Sequence, residues 1–159
     1  MHYEVVFDCC EAGYRNWWFP MLGFGLAAVM FGFERVVEPR LPRFMRPRWR
    51  LPPIFIYGFI AFWIALTFSF TIYDFAHVCG ALRGGRAIVV EGAVRDFLPG
   101  GESRKTETFK VGGRSYEYSQ SEVQAGFNTV ASQGGPIRDG LGVRIHDVDG
   151  QIARLEVLR

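Results

Sequence analysis

Two long stretches of this chain hold no charged residue. Residues 17–33 read WWFPMLGFGLAAVMFGF, and residues 51–73 read LPPIFIYGFIAFWIALTFSFTIY. Other absences narrow the chemistry. There is no C-x-x-C, so the usual dithiol redox motif is missing. The glycine-rich connection at 119–140 lacks G-K-[ST], so it is no phosphate loop. No Ser–His–Asp set, specific metal-ligand spacing or cofactor fingerprint is present. These gaps predict a protein that is not an enzyme and takes no cofactor. The opening MHYEVVFDCC has neither a positive n-region nor a small-residue cleavage site, so no cleavable signal peptide is expected. Cys9 and Cys10 do not follow an apolar run and do not read as a lipoprotein cleavage site.

What is present begins with the two apolar runs. A bilayer core of about 30 Å takes roughly 20 apolar helical residues. The second run is long enough, and the first reaches that length with its flanks. The expectation is a membrane helical hairpin, helices about 15–36 and 52–79, within a unit of residues 1–83. Between them, residues 34–50 carry Arg35, Arg40, Arg43, Arg46, Arg48 and Arg50 against Glu34 and Glu38. The segment before the first helix carries Arg15 against Glu4, Asp8 and Glu11. Basic residues in short loops mark the cytoplasmic side. The expected place is therefore a bacterial inner membrane, spanned twice, with both termini on the periplasmic or extracellular side. Trp17, Trp18 and Trp49 fall where indoles collect at the headgroups. Pro20, Pro52 and Pro53 suit a first helical turn, where the missing N–H costs nothing. Arg40, Arg43, Arg46, Arg48 and Arg50 are expected against anionic lipid headgroups, as a topology signal or as a specific lipid or partner site.

After Gly80, Gly84 and Gly85 the periodicity turns strand-like. Five strands are predicted: 86–99, 106–111, 114–119, 141–148 and 151–159. Gly112-Gly113 and Asp149-Gly150 have the composition of two-residue hairpin turns. In the fourth strand Leu141, Val143 and Ile145 alternate with Gly142, Arg144 and His146, one face inward and one outward. Five strands with a long connection between the third and fourth resemble an OB-fold barrel, assigned to residues 84–159. Gly92, in VVEGAV, sits where the first strand of such a barrel bends.

The stretch from VVEGAVRDFLPGG to QIARLEV resembles the C-terminal part of small bacterial membrane proteins of uncharacterised function. The resemblance covers about half the chain. It implies a folded domain on a membrane anchor and no activity. Helices followed by a terminal OB-like barrel also resemble the NfeD-like membrane proteins, in architecture alone.

Charge speaks against nucleic acid. From Gly84 onward ten basic residues (Arg86, Arg95, Arg104, Lys105, Lys110, Arg114, Arg138, Arg144, Arg154, Arg159) meet ten acidic ones (Glu91, Asp96, Glu102, Glu107, Glu117, Glu122, Asp139, Asp147, Asp149, Glu156), 10 − 10 = 0. A nucleic-acid binder carries a basic excess. Cys9, Cys10 and Cys79 all fall on the outer side, where a disulfide is stable. A bridge from Cys79 to Cys9 or Cys10 is one expectation, and unpaired thiols are the other. Asp74, His77 and Cys79 form D-x-x-H-x-C, a metal or proton site or merely the interfacial end of the helix. Asn128, Thr129, Arg138 and Asp139 on the long connection, with Tyr116 and Tyr118, form a candidate binding surface. The plainer alternative is a plug, with Phe127 and Ile137 in the core.

The resulting expectation is a membrane-anchored interaction module, an assembly, scaffold or accessory subunit of a larger bacterial membrane complex. Its partners would be membrane lipids, other membrane proteins and further copies of itself, and no nucleic acid. The alternatives are a module binding an envelope oligosaccharide or polymer, and a redox or metal-handling protein using the outer cysteines. Phe24, Phe31, Phe59 and Phe62, with Gly23, Gly25 and Gly32, suit helix–helix packing.

Overall fold

Apolar runs and alternating runs sort into two compact units, Asn16–Ile72 and Met1–Arg15 with Tyr73–Arg159. The computed structural model describes residues 2–42, 52–100 and 106–159. Residues 1–15 and 73–83 thus join the sheet-bearing unit, where the sequence alone grouped them with the hairpin.

In the unit Asn16–Ile72 the apolar runs are helical. Helix α2 spans Trp18–Gly32 and continues through a π-helical turn, Phe33–Val37, and a 3₁₀ turn, Glu38–Arg40. Helix α3 spans Pro53–Arg83 and leaves the unit at its C-terminal end. Both segments are long and apolar enough to cross a membrane, at 26 and 30 residues. The facing pairs run in opposite order: Phe19 meets Trp63 at 6.0 Å between ring centroids, and Tyr57 donates to Glu34 at 3.1 Å. The helices are therefore antiparallel. They approach closely at Gly23, where a side-chain carbon would overlap Ile64. Thr67 and Thr71 donate back to the carbonyls of Trp63 and Thr67, at 2.8 and 2.9 Å, which satisfies both hydroxyls within the apolar helix.

The other unit holds seven strands among the described residues, all antiparallel. They are β1 (Tyr3–Asp8), β2 (Ile88–Ala93), β3 (Arg95–Leu98), β4 (Glu107–Val111), β5 (Arg114–Tyr118), β6 (Gly142–Val148) and β7 (Gln151–Leu158). One sheet has the order β1-β7-β6-β2 and the other β3-β4-β5. Two features correct the five-stranded barrel. The predicted strand 86–99 divides at Val94, so β2 and β3 enter different sheets. Val94 N donates to Leu141 O, and Gly140 N donates to Val94 O, so the corner is pinned from the connection. Gly92 has φ +157 and remains paired with Val143 just before that corner. The second correction is β1. It pairs with β7 from Tyr3↔Leu158 to Asp8↔Arg154. With that edge occupied and β5 bonded only to β4, the described strands form two sheets and no closed barrel.

Both hairpin turns use left-handed backbone. Asp149 and Gly150 have φ 51 and 86, and Gly112 and Gly113 have φ 56 and 81. The sheets bury Phe109, Val111, Tyr116, Tyr118, Val143, Ile145 and Leu155 in one core. Phe127, Val130 and Ile137 of the 119–140 connection are buried in it too. A chain of rings runs through it: Phe109–Tyr118 at 6.0 Å, Tyr118–Phe127 at 5.4 Å and Phe127–Phe7 at 5.5 Å. The connection is therefore a plug. It turns tightly at Gly135, where a side-chain carbon would overlap the carbonyl oxygen of Thr129 and the backbone of Val130. Backbone cannot swing aside as a flexible side chain can, so Gly135→Ala should lower stability by ~2 kcal/mol, within the range for overpacking. Thermal unfolding of the purified chain in detergent measures it, and an unchanged midpoint would mean the plug bears no weight.

Candidate functional site

The chemistry-bearing groups gather where β1 ends. Asp8 closes the strand and caps the short helix α1, Cys9–Ala12. Its Oδ1 accepts from the amides of Cys10 at 2.8 Å and Glu11 at 3.4 Å. Its Oδ2 accepts from Arg154 Nε at 2.7 Å and lies 2.6 Å from Nη2. The β1–β7 register sets Asp8 opposite Arg154, so the ion pair is a consequence of strand pairing. Burial raises the Asp8 carboxyl, but the bonds and charge of Arg154 and the two amides outweigh it and hold the group below its ordinary value.

The turn after Asp8 brings the three cysteines together. Cys10 and Cys79 are joined in a disulfide, with Cα atoms 5.3 Å apart across 69 residues of sequence. Cys9 keeps a free, buried thiol, 3.9 Å from the Cys10 sulfur. Burial, with the Asp8 charge beside it, pushes that thiol from 9.0 up to about 11. The three sulfurs lie within 4.8 Å of one another. A cleft of ≈ 260 Å³ opens beside them, lined by Asp8, Cys10, Glu11, Leu82, Arg83 and Arg154.

Asp74 and His77 do not join this group; both bond into the sheet unit. Asp74 accepts from Ala125 N and Gln151 Nε2, each at 2.8 Å. His77 Nε2 lies 2.9 Å from Asp149 Oδ2, with its ring stacked 5.9 Å from Tyr73. The D-x-x-H-x-C spacing therefore marks two polar ties and one disulfide: Asp74 and His77, three apart, share the face that bonds into the sheets, while Cys79 lies two and five residues from them, on the other side of the helix.

The candidate surface separates into buried and exposed parts. Tyr116 and Tyr118 are 3% and 1% exposed, so their rings are core and offer no stacking platform. The reason is the pleat: they share the inward face of β5 with Phe109 across the pair. The Tyr118 hydroxyl donates to Glu107 at 2.6 Å and that of Tyr116 to Asp147 at 3.2 Å. Burial first, and then the neighbouring carboxylates, raise both hydroxyls above the ordinary tyrosine value. Asn128 and Thr129 are half-buried, while Arg138 and Asp139 are exposed. Asp139 Oδ1 accepts from Phe97 N at 3.4 Å. Arg40 is exposed and donates to Val36 O at 2.5 Å. Arg43, Arg46, Arg48, Arg50 and the 101–105 segment lie outside the described residues.

Sequence reasoning missed Glu107 and Asp147 as structural centres. Glu107 is fully buried and accepts from Tyr118, Ala131 N and Gly100 N, at 2.6, 2.9 and 3.3 Å. Asp147, also buried, accepts from Arg114, Tyr116 and Gly150 N, at 2.9, 3.2 and 2.8 Å. Their signal was faint: Glu107 and Asp147 both occupy inward positions of strands whose other inward residues are apolar.

No family model, curated protein or solved structure matches this chain.

The Asp8–Arg154 pair should carry stability with a defined pH dependence. A carboxyl lowered by folding stabilises above its unfolded value, and the benefit disappears as pH falls through the lower folded value. Asp8→Asn should cost about 2 kcal/mol at pH 7, given the half-exposed arginine. The gap from the unmodified protein should close as pH drops below 3.8. Unfolding curves of both proteins across pH test it, and a gap that is constant with pH would overturn the ion-pair assignment, since Asn caps a helix as well as Asp.

Proposed function

We propose that this protein is a membrane-anchored, non-enzymatic interaction module: an assembly, scaffold or accessory subunit of a larger bacterial membrane complex. The observation that carries the reading is the C-terminal end of α3. Within less than two turns, Asp74, His77 and Cys79 attach it to the sheet unit by hydrogen bonds and a disulfide. A flexible tether would need none of these. Upstream, the same helix is apolar on all sides, with Ile54 77%, Phe59 66% and Phe70 64% exposed. A helix that is apolar all round without being buried in protein suits lipid.

The arginine-rich loop supports a cytoplasmic connection and a double span of the inner membrane, with both termini outside. The disulfide fits an oxidising compartment. In this reading Arg40, Arg43, Arg46, Arg48 and Arg50 rest on anionic headgroups. The path through β2/β3, β4, β5, β6 and β7 suits an OB-like module opened by β1, in the manner of the resemblance to NfeD-like membrane proteins. Arg138 and Asp139 are exposed at the corner that links the plug to β6, with Asn128 and Thr129 on the same connection. They are the proposed contact for a protein partner. The envelope-polymer alternative loses support with the burial of Tyr116 and Tyr118. The balanced charge of residues 84–159 argues against nucleic acid.

Two measurements test this. In a Cys9→Ser background, Glu117→Cys should react with an impermeant maleimide on intact cells and Arg40→Cys only after permeabilisation. The opposite labelling would overturn the topology. Tagged full-length protein, extracted from its own membranes in mild detergent, should bring down one membrane protein in fixed stoichiometry. Joint replacement of Asn128, Arg138 and Asp139 by Ala should reduce that yield at least about tenfold, the effect of losing roughly 1.4 kcal/mol. The Cys10–Cys79 bridge should remain intact. A chain that elutes alone, or a partner retained at full yield, would sink the proposed contact.

A further inference from the structure

We propose that the reduced protein holds one soft, monovalent, closed-shell cation of the Cu(I) type between the sulfurs of Cys9, Cys10 and Cys79. The argument begins with geometry. Three thiolates around one metal at a metal–sulfur distance of about 2.3 Å form a triangle with edges of ~4.0 Å. The Cys9 and Cys10 sulfurs are already 3.9 Å apart, and all three sulfurs lie within 4.8 Å. The Cys10 and Cys79 Cα atoms are 5.3 Å apart, so once the bond is opened small χ1 rotations bring their sulfurs to that edge.

Donor chemistry selects the ion. Thiolates without oxygen or nitrogen partners favour soft cations. Zinc takes a fourth ligand in a tetrahedral structural site. The carboxylates beside the cluster are Asp8, engaged with Arg154 and the amides of Cys10 and Glu11, and Glu11 itself on the cleft wall, and neither groups with the three sulfurs. Among the described residues the three cysteines form the group by themselves. A three-coordinate Cu(I) thiolate needs no fourth. Its net charge of −2 would lie near two guanidinium groups, since Arg83 and Arg154 line the adjoining cleft. The cleft reaches Cys10, so a small reductant and an ion have a route in. An unpaired thiol beside a disulfide is open to exchange, a hazard that another small core residue would not carry.

The disulfide makes the site conditional. A dithiol reductant passes two electrons and two protons to the Cys10–Cys79 bond and itself becomes a disulfide. The chain then carries three thiols. Binding the cation forms three metal–sulfur bonds and releases three protons to solvent. Oxidised protein has only the Cys9 sulfur to offer. The inference stands apart from the interaction-module reading, because an anchored scaffold without a metal and a metal site without a partner are both possible.

The test uses the full-length protein in detergent micelles, with Cu(I) alone as probe. After anaerobic reduction and removal of the reductant, Cu(I) is titrated in competition with bathocuproine disulfonate. The expected result is one Cu(I) per reduced chain, none per oxidised chain, and three sulfur neighbours by X-ray absorption. Supporting groups around a metal typically cost 10–100-fold when lost, so removing a ligand, as in Cys9→Ser, should weaken binding by more than about 100-fold. Cys79→Ser should do the same. Two sulfur neighbours in the unmodified protein, equal uptake by oxidised and reduced chains, or unchanged affinity in Cys9→Ser would each overturn the proposal. The coordination number is read on the native sequence, so a variant that misfolds does not spare it.

Discussion

The pairing of β1 with β7 is the constraint on which the sheet unit and its junction depend. It covers the free edge of β7, which would otherwise be a bare row of amides and carbonyls. It sets Asp8 opposite Arg154, and that carboxylate then caps α1. The cap turns the chain so that Cys10 meets Cys79 at the end of α3. One strand of six residues thus ties the N-terminal segment, the C-terminal strand and the end of the long helix into one body. In a free chain, closing a loop of that size contributes about 4 kcal/mol by the chain-entropy argument.

Buried acids organise the rest of the unit. Asp8, Glu107 and Asp147 are each nearly inaccessible and each accept three or more hydrogen bonds or ion-pair contacts from groups far apart in sequence. An unpaired buried carboxylate costs several kcal/mol, so such groups specify the fold by penalising every arrangement that leaves them bare. Glu107 illustrates it. Its partners come from Gly100 after β3, from β5 and from the plug, so three segments must arrive together. The plug in turn puts Phe127, Val130 and Ile137 over the core. The exposed corner at Arg138 and Asp139 carries the proposed contact, and the inward aromatics serve packing.

The disulfide beside a third, buried sulfur is a covalent clamp between α1 and α3. In the proposed reduced state it would become a cluster of three thiols, with the strand pairing and the ties of Asp74 and His77 to the sheet unit as the contacts left to hold the end of α3.

The amino-acid sequence by itself determined the features that rest on local patterning. Uncharged runs of near 20 residues specify the two apolar helices, because an apolar run of that length without alternation is longer than a strand. Alternation and the Gly-Gly and Asp-Gly pairs specify the hairpins β4–β5 and β6–β7, because side-chain direction and turn handedness are set within a few residues. What only the tertiary structure decided depends on contacts remote in sequence. YEVVFD has strand composition, yet its partner lies some 150 residues away, so its place on β7 could not be read locally. The choice of Cys10 over Cys9 follows from the turn that Asp8 caps, which depends on that same pairing. The inward direction of Tyr116 and Tyr118 follows from register, since a shift of one residue would have turned both rings outward. Glu107 and Asp147 became structural centres only when partners from other strands closed around them, a matter of packing that composition does not encode.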